Sequence, residues 1–217
     1  ESHPLSLGGS LLCKASQKEL AEADLVIIVG CLIAEGDHFL PHLEIGGKII
    51  RIDIDSHVLV NHYSADVPLL GDAQYTLALI SQAIISAGLS FDAFSGNERA
   101  RRIRDQNLAA LTTSEKRHVA LWQAIREVIP ADTIIMGDAT QLVYSGSFAF
   151  PVDHPNCWHY PGTYCSLGVA LPMAIGAKIG VPHRPVLAVA GDGGIMFTIN
   201  EIATAVEERL SLPIIIW

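Results

Sequence analysis

The residues of this 217-residue chain best suited to chemistry are Gly191-Asp192-Gly193-Gly194, which follow directly on the apolar run Val186 to Ala190. Small apolar residues without alternation are what a strand covered on both faces requires, and Pro185 marks its start. The three glycines remove side chains where an anion could approach backbone N–H groups, and they allow positive φ. That suits a phosphate, but a lone carboxylate beside it would repel the ligand unless a cation stood between them. Mg2+ prefers carboxylate and phosphate oxygens and is commonly held by one or two carboxylates plus the phosphates themselves. Asp192 is therefore expected to ligate a metal that bridges to a diphosphate, with Gly191, Gly193 and Gly194 as the backbone cradle. In isolation Gly-Asp-Gly is also an ordinary tight turn; the buried strand before it favours the chemical reading.

These residues need elements to position them. Thr198 with Glu201 predicts a capping box, and Ile199, Ile202, Ala203 and Val206 share a helical face, so a helix is expected after the glycines. Asp132 to Met136 reads as another buried strand, preceded by a helix from Glu115 with Val119, Trp122, Ile125 and Ile129 on one side and Pro130 at its end. Open α/β sheets place ligands at the carboxyl ends of strands, where Gly137 to Gln141 lie; from the residues alone, Asp138 there is a turn and helix cap. Earlier in the chain, Asp24 to Gly30, Lys48 to Asp55 and Val67 to Leu70 read as strands. They alternate with helices at 17–22 and 72–87, the latter with Ala73, Leu77, Ile80 and Ile84 facing a core. Strands alternating with helices imply parallel sheets. The expected class is α/β with two Rossmann-like parallel-sheet units, 1–88 and 115–217, joined by a polar connecting segment 89–114. Arg99, Arg101, Arg102 and Arg104 form a solvated face of that segment.

Other groupings carry less. Asp53 and Asp55 end a second strand, where a dinucleotide fold holds a ribose, but no GxGxxG fingerprint accompanies them. His154, Cys157 and His159 lack the four ligands and paired spacings of a structural zinc site. Fourteen basic against twenty-three acidic residues give a net charge of −9 without long runs, which argues against a nucleic-acid surface. The longest apolar run, Leu25 to Ala34, is too short to span a bilayer. The 4 cysteines form no CxxC pair, as expected for reduced thiols in the cytoplasm. The chain opens at Glu1 and closes inside an apolar strand, Pro213 to Trp217, so a piece of a longer polypeptide is expected.

Gly191-Asp192-Gly193 followed by Asn200-Glu201-Ile202-Ala203-Thr204-Ala205 and the 213–217 strand resembles the thiamine diphosphate motif of the acetolactate synthase, benzoylformate decarboxylase and pyruvate oxidase superfamily. Gly168 to Lys178 resembles that family's helix before the motif, and Ala23 to Gly30 with Arg51 to Asp55 its middle domain. The resemblance implies thiamine diphosphate and Mg2+ as cofactors, and decarboxylation of a 2-oxo acid; the alternatives are an acetolactate-type carboligation and an inactive nucleotide- or flavin-binding relative. It implies that Thr140 and Gln141 contact the diphosphate, and that the backbone of Cys165, Ser166 and Leu167 holds the aminopyrimidine. The Leu167 side chain wedges beneath the cofactor; Leu there leans toward decarboxylases, Met being usual in acetolactate synthases. His3-Pro4 resembles a His-Pro that reaches the active site, against the plain reading of a surface histidine. Leu32 stands where FAD-binding members carry an arginine, so a structural middle domain is expected and FAD is not. A homodimer or homotetramer with the cofactor between subunits is implied, with no nucleic acid or membrane partner.

Overall fold

The protein is described by a computed structural model covering residues 3–90 and 93–217. Phe91 and Asp92, inside the expected connecting segment, lie outside the described residues, as do Glu1 and Ser2. The chain divides into two compact units, Leu11–Asn107, and Leu108–Trp217 together with residues 3–10.

The first unit contains α1 (Lys14–Ala21), β1 (Leu25–Val29), α2 (Glu35–His38), β2 (Lys48–Asp53), α3 (Ser56–Leu59), β3 (Val67–Leu70), α4 (Ala73–Ser86) and most of α5 (Ala93–Ala109). Its three strands are parallel and run in sequence order, β1-β2-β3, so strand order reverses nowhere in this described sheet. Ile28, Leu43 and Tyr63 form its core. Arg51 is 0 % exposed and donates to the carbonyl oxygens of Tyr63 at 3.0 Å and Cys31 at 2.9 Å, clipping two loops beside the sheet. The carboxylates that raised the nucleotide question serve local turns: Asp53 accepts the Asp55 N–H, and Asp55 accepts the His57 N–H as the N-cap of α3. In α4 the more covered side is Ala73, Thr76, Ile80 and Ile84, and Leu77 lies off that face. The polar α5 packs on α1 through Asn107, which donates to the Ser16 hydroxyl at 2.9 Å, and through an Arg99–Glu19 ion pair.

The second unit contains α6 (Thr113–Val128), β4 (Ile134–Gly137), α7 (Gln141–Ala149), β5 (Trp158–His159), α8 (Ala170–Gly180), β6 (Val186–Ala190), α9 (Asp192–Ile195), α10 (Ile202–Glu207) and β7 (Ile214–Ile216). All strand pairs are parallel, in the order β5-β4-β6-β7. Alternate residues of β4 and β6 serve opposite faces. Ile135, Leu187 and Val189 pack with Trp122 of α6, Leu142 and Val143 of α7 and Phe150 just after it, whereas Ile134, Met136, Val186 and Ala188 pack with Ala174 of α8. Both faces are covered, which explains the uninterrupted apolar runs. Thr112 and Glu115 form a reciprocal capping box that starts α6.

The core of this unit turns on one close packing. The Trp122 ring is 0 % exposed, donates its indole N–H to the Leu142 carbonyl at 2.7 Å, and lies edge-on to Phe150 and Trp158. Gly146 on α7 lets these rings approach: a Cβ there would collide with Trp158 and stand 2.8 Å from the Trp122 ring. Overpacking a tight core costs about 1–3 kcal/mol. Gly146→Ala is therefore expected to lower stability by about that amount in urea unfolding monitored by tryptophan fluorescence; an unchanged midpoint would contradict this packing.

Candidate active site

Chain order places the site. From β4 the chain runs to β5 on one side and then to β6 on the other, so strand order reverses at the β4/β6 boundary. Such a reversal leaves a crevice at the carboxyl ends of the two strands. Gly137 pairs in register with Val189, so Thr140 and Gln141 after β4 face Gly191 and Asp192 after β6 across it. A Cβ on Gly191 would lie 3.4 Å from the Thr140 Cβ and 3.5 Å from its hydroxyl oxygen. Thr140 is the half-buried N-cap of α7, and Gln141 is exposed on its first turn.

Asp192 is exposed, and its carboxylate accepts the N–H of the adjacent Gly193 at 2.8 Å. Its own N–H is tied to the Trp217 carbonyl at 3.0 Å, which anchors the turn to the end of β7. Among the described residues it has no ion-pair partner. No group of three or more His, Cys, Asp or Glu side chains among the described residues could enclose a metal. A cation at Asp192 would therefore take its remaining oxygens from a ligand or water, as Mg2+ does beside phosphates.

The glycine turn differs from expectation in two respects. None of Gly191, Gly193 and Gly194 has positive φ; the chain passes from β6 straight into the single turn α9, with Gly191 as N-cap at φ −76°. The predicted capping box also does not form. The Thr198 hydroxyl donates instead to the Gly168 carbonyl at 2.9 Å, while Glu201 accepts from the Thr204 hydroxyl. Of the three, Gly194 answers a steric demand. The Asp138 carboxylate occupies the place of a Gly194 Cβ, whereas a Cβ on Gly193 would meet nothing within 4 Å.

Asp138 is the residue whose role the sequence concealed. It caps no helix: 0 % exposed at the end of β4, it accepts the Gly168 N–H at 2.9 Å and the Val169 N–H at 3.3 Å. With Thr198 holding the Gly168 carbonyl, both peptide groups of Gly168 are pinned, and its φ of +81° suits a glycine. Leu167, next in the chain, is therefore displayed on a fixed backbone and is 51 % exposed, so it is not the core leucine that its apolar character alone would imply. Cys165 and Ser166 are half-buried on the same loop, Cys165 with a left-handed φ of 47° and its N–H donated to the Pro161 carbonyl.

The Tyr144 phenol, from α7, reaches this loop. Burial pushes its pKa up to about 12, and a hydrogen bond with the Cys165 thiol and the negative charges of Cys165 and Asp138 act in the same direction. His3 is exposed, and its Nδ1 accepts the Leu5 N–H at 3.2 Å in a local turn; among the described residues no hydrogen bond joins it to either loop. The His154 to His159 stretch contains the short edge strand β5, too brief to stand out in sequence. The buried Cys157 sulfur there accepts from Arg184 at 2.9 Å.

A parallel α/β sheet with an exposed carboxylate and a hydrogen-bonded loop displaying Leu167 at its switch point has the layout in which open α/β sheets hold ligands. Comparison with known proteins gives its family. Residues 121–217 match the thiamine pyrophosphate enzyme C-terminal TPP-binding domain, and residues 1–80 match the thiamine pyrophosphate enzyme central domain. The chain is 38% identical over 215 residues to the probable 2-ketoarginine decarboxylase AruI of Pseudomonas aeruginosa, covering 99% of this chain and 38% of that protein. It is 30% identical over 231 residues to a probable acetolactate synthase large subunit of Methanocaldococcus jannaschii, covering 100% of this chain and 38% of that one. It is also 30% identical over 228 residues to the acetolactate synthase isozyme 1 large subunit of Escherichia coli, covering 100% of this chain and 39% of that one. The chain belongs to the thiamine diphosphate-dependent enzyme superfamily, and it spans under two fifths of the length of these three relatives.

The tyrosine gives a test of the loop's surroundings. The folded state holds the Tyr144 proton to about 12 against the ordinary 10.0, so its contribution to stability is full below pH 10 and is lost as pH rises through about 12. Absorbance titration at alkaline pH should show one late-ionising tyrosine that disappears in Tyr144→Phe; a late phase that persists would contradict this environment.

Proposed function

We propose that the β4/β6 crevice binds thiamine diphosphate through Mg2+ and that the protein decarboxylates a 2-oxo acid. The observation that carries the reading is Asp192: an exposed carboxylate that has no cation partner among the described residues, at the switch point of a sheet and beside Thr140. The donor set fits the group. Asp192 supplies the carboxylate for Mg2+, with Gly191, Gly193 and Gly194 as the surrounding backbone. The Thr140 hydroxyl and Gln141 amide suit diphosphate oxygens, and the open space at Gly193 leaves room for them. The Cys165 carbonyl, Ser166 and the Leu167 N–H would hold the aminopyrimidine ring, and the exposed Leu167 side chain would pack against the cofactor.

Thiamine diphosphate, when bound, supplies a ring carbon that adds to a ketone carbonyl and a thiazolium ring that takes up the electrons released with CO2. The chain's own residues orient and exclude. Leu167, fixed through Gly168, would present a preorganised apolar surface to the cofactor, and orientation of that kind lowers the barrier by removing entropy before reaction. The exposed apolar side chains Met196, Phe197, Ile199 and Ile202 form a face beside the site that a second subunit would cover, which supports a homodimer or homotetramer with the cofactor at the interface. Their burial would also keep water from the site. His3, exposed and with Nδ1 accepting the Leu5 N–H, is the further catalytic candidate in this reading. In this reading residues 1–88 belong to the central domain, 89–114 connect, and 115–217 bind the cofactor, in a cytoplasmic enzyme.

The name of one relative makes 2-ketoarginine a first candidate substrate. The acetolactate synthases among the relatives support a second reading, in which a second carbonyl compound rather than a proton receives the product carbon. CO2 release by the full-length protein from a panel of 2-oxo acids, with aldehyde and acyloin products quantified, separates the two. Asp192→Asn should weaken Mg2+-dependent thiamine diphosphate binding in calorimetry by more than the roughly 10–100-fold that loss of an outer-shell partner costs. Undiminished binding would overturn the metal assignment.

A further inference from the structure

Asp138 binds neither metal nor diphosphate in the reading above, yet it lies where the two halves of the site meet. Its carboxyl is wholly buried, with one oxygen 2.9 Å from the Gly168 nitrogen and the other 3.3 Å from the Val169 nitrogen. The first of these oxygens also fills the space of a Gly194 side chain, with the carboxyl carbon 3.1 Å from where that Cβ would stand. Buried carboxyl oxygens need donors, and both come from the backbone immediately after Leu167. The same loop is gripped from the other side by Thr198, which follows α9 and bonds the Gly168 carbonyl at 2.9 Å.

We infer that Asp138 is a positioning residue: its carboxyl oxygens fix the backbone on which Leu167 stands and set the separation between that loop and the Gly191–Gly194 turn. The inference rests on the proposed binding of thiamine diphosphate. Its physical content is a division of labour. Asp192 tethers the diphosphate end, on a turn anchored to β7 through Trp217. Asp138 governs the height and direction of the Leu167 side chain, which is the bending surface. Loss of Asp138 should therefore leave the tether and spoil the bend. Thr198 is the second clamp and should act in the same sense, more weakly, because it holds one peptide group where Asp138 holds two.

The test separates tethering from bending in the full-length protein. The dissociation constant for thiamine diphosphate with Mg2+ is measured by calorimetry, and bending is read as the rate at which the bound cofactor exchanges its C2 proton with D2O. Asp138→Asn keeps the volume but places an NH2 against a backbone N–H. It should change affinity by less than about 10-fold and slow exchange by about 100-fold, the scale on which an ångström of misplacement acts. In the Leu167→Ala background Asp138→Asn should slow exchange no further, because both changes remove one interaction. Thr198→Val should slow exchange by about 10-fold, and it decides the matter should Asp138→Asn fail to fold. A purely structural role would lower the melting temperature but leave exchange per bound cofactor at the wild-type rate, and that result overturns the inference, as would additive effects in the double variant. Wild-type protein that binds no thiamine diphosphate would refute the functional reading and this inference together; normal exchange in a folded, cofactor-binding Asp138→Asn would refute this inference alone.

Discussion

The hydrogen bonds that the Gly168 and Val169 N–H groups donate to the buried Asp138 carboxyl are the constraint on which the site depends. They join the end of β4 to the loop before α8, and the same carboxyl excludes a side chain at Gly194 after β6. Three segments far apart in sequence thus share one polar group inside an apolar unit. A buried polar cluster of this kind is costly when incomplete and rigid when satisfied. Rigidity is what a loop displaying an apolar side chain to a ligand requires.

Around that constraint the layers have separable tasks. Alternate residues of β4 and β6 bind the sheet to α6 and α7 on one face and α8 on the other. The order β5-β4-β6-β7 opens the crevice at one strand boundary. The turns that fill it carry the groups suited to chemistry: a carboxylate with no cation partner among the described residues, a hydroxyl, an amide, and a leucine held outside the core. The first unit lacks this topology in its described sheet, and its buried cation, Arg51, is spent on carbonyl oxygens of neighbouring loops.

Much of the fold could be read from sequence because its signals are local. The runs 186–190 and 67–70 appear as strands with those bounds; in the first, continuous burial leaves a continuous apolar record, whereas the second is apolar in sequence but largely exposed. Asp192 stood out because a single charge among glycines after such a run has few structural uses. What escaped were pairings across long separations. Asp138 looks like a turn residue until Gly168, thirty residues away, is seen to bond it. Thr198 and Glu201 have the spacing of a capping box, but a tertiary acceptor, the Gly168 carbonyl, takes the hydroxyl. The glycines were expected for their freedom of φ, but none takes a positive φ, and only Gly194 is needed for space, which the Asp138 carboxylate fills. β5 has only two residues and leaves no periodicity to detect.

The central claim is that one acidic side chain at the carboxyl end of β6 holds a diphosphate through a shared divalent cation. The most direct measurement is a crystal structure of the full-length protein grown with thiamine diphosphate and Mn2+ in place of Mg2+, located by its anomalous signal. The account predicts an anomalous peak coordinated by the Asp192 carboxylate and two diphosphate oxygens, with the cofactor's rings bent over Leu167. A cofactor bound elsewhere, or a metal that leaves Asp192 unliganded, would contradict it.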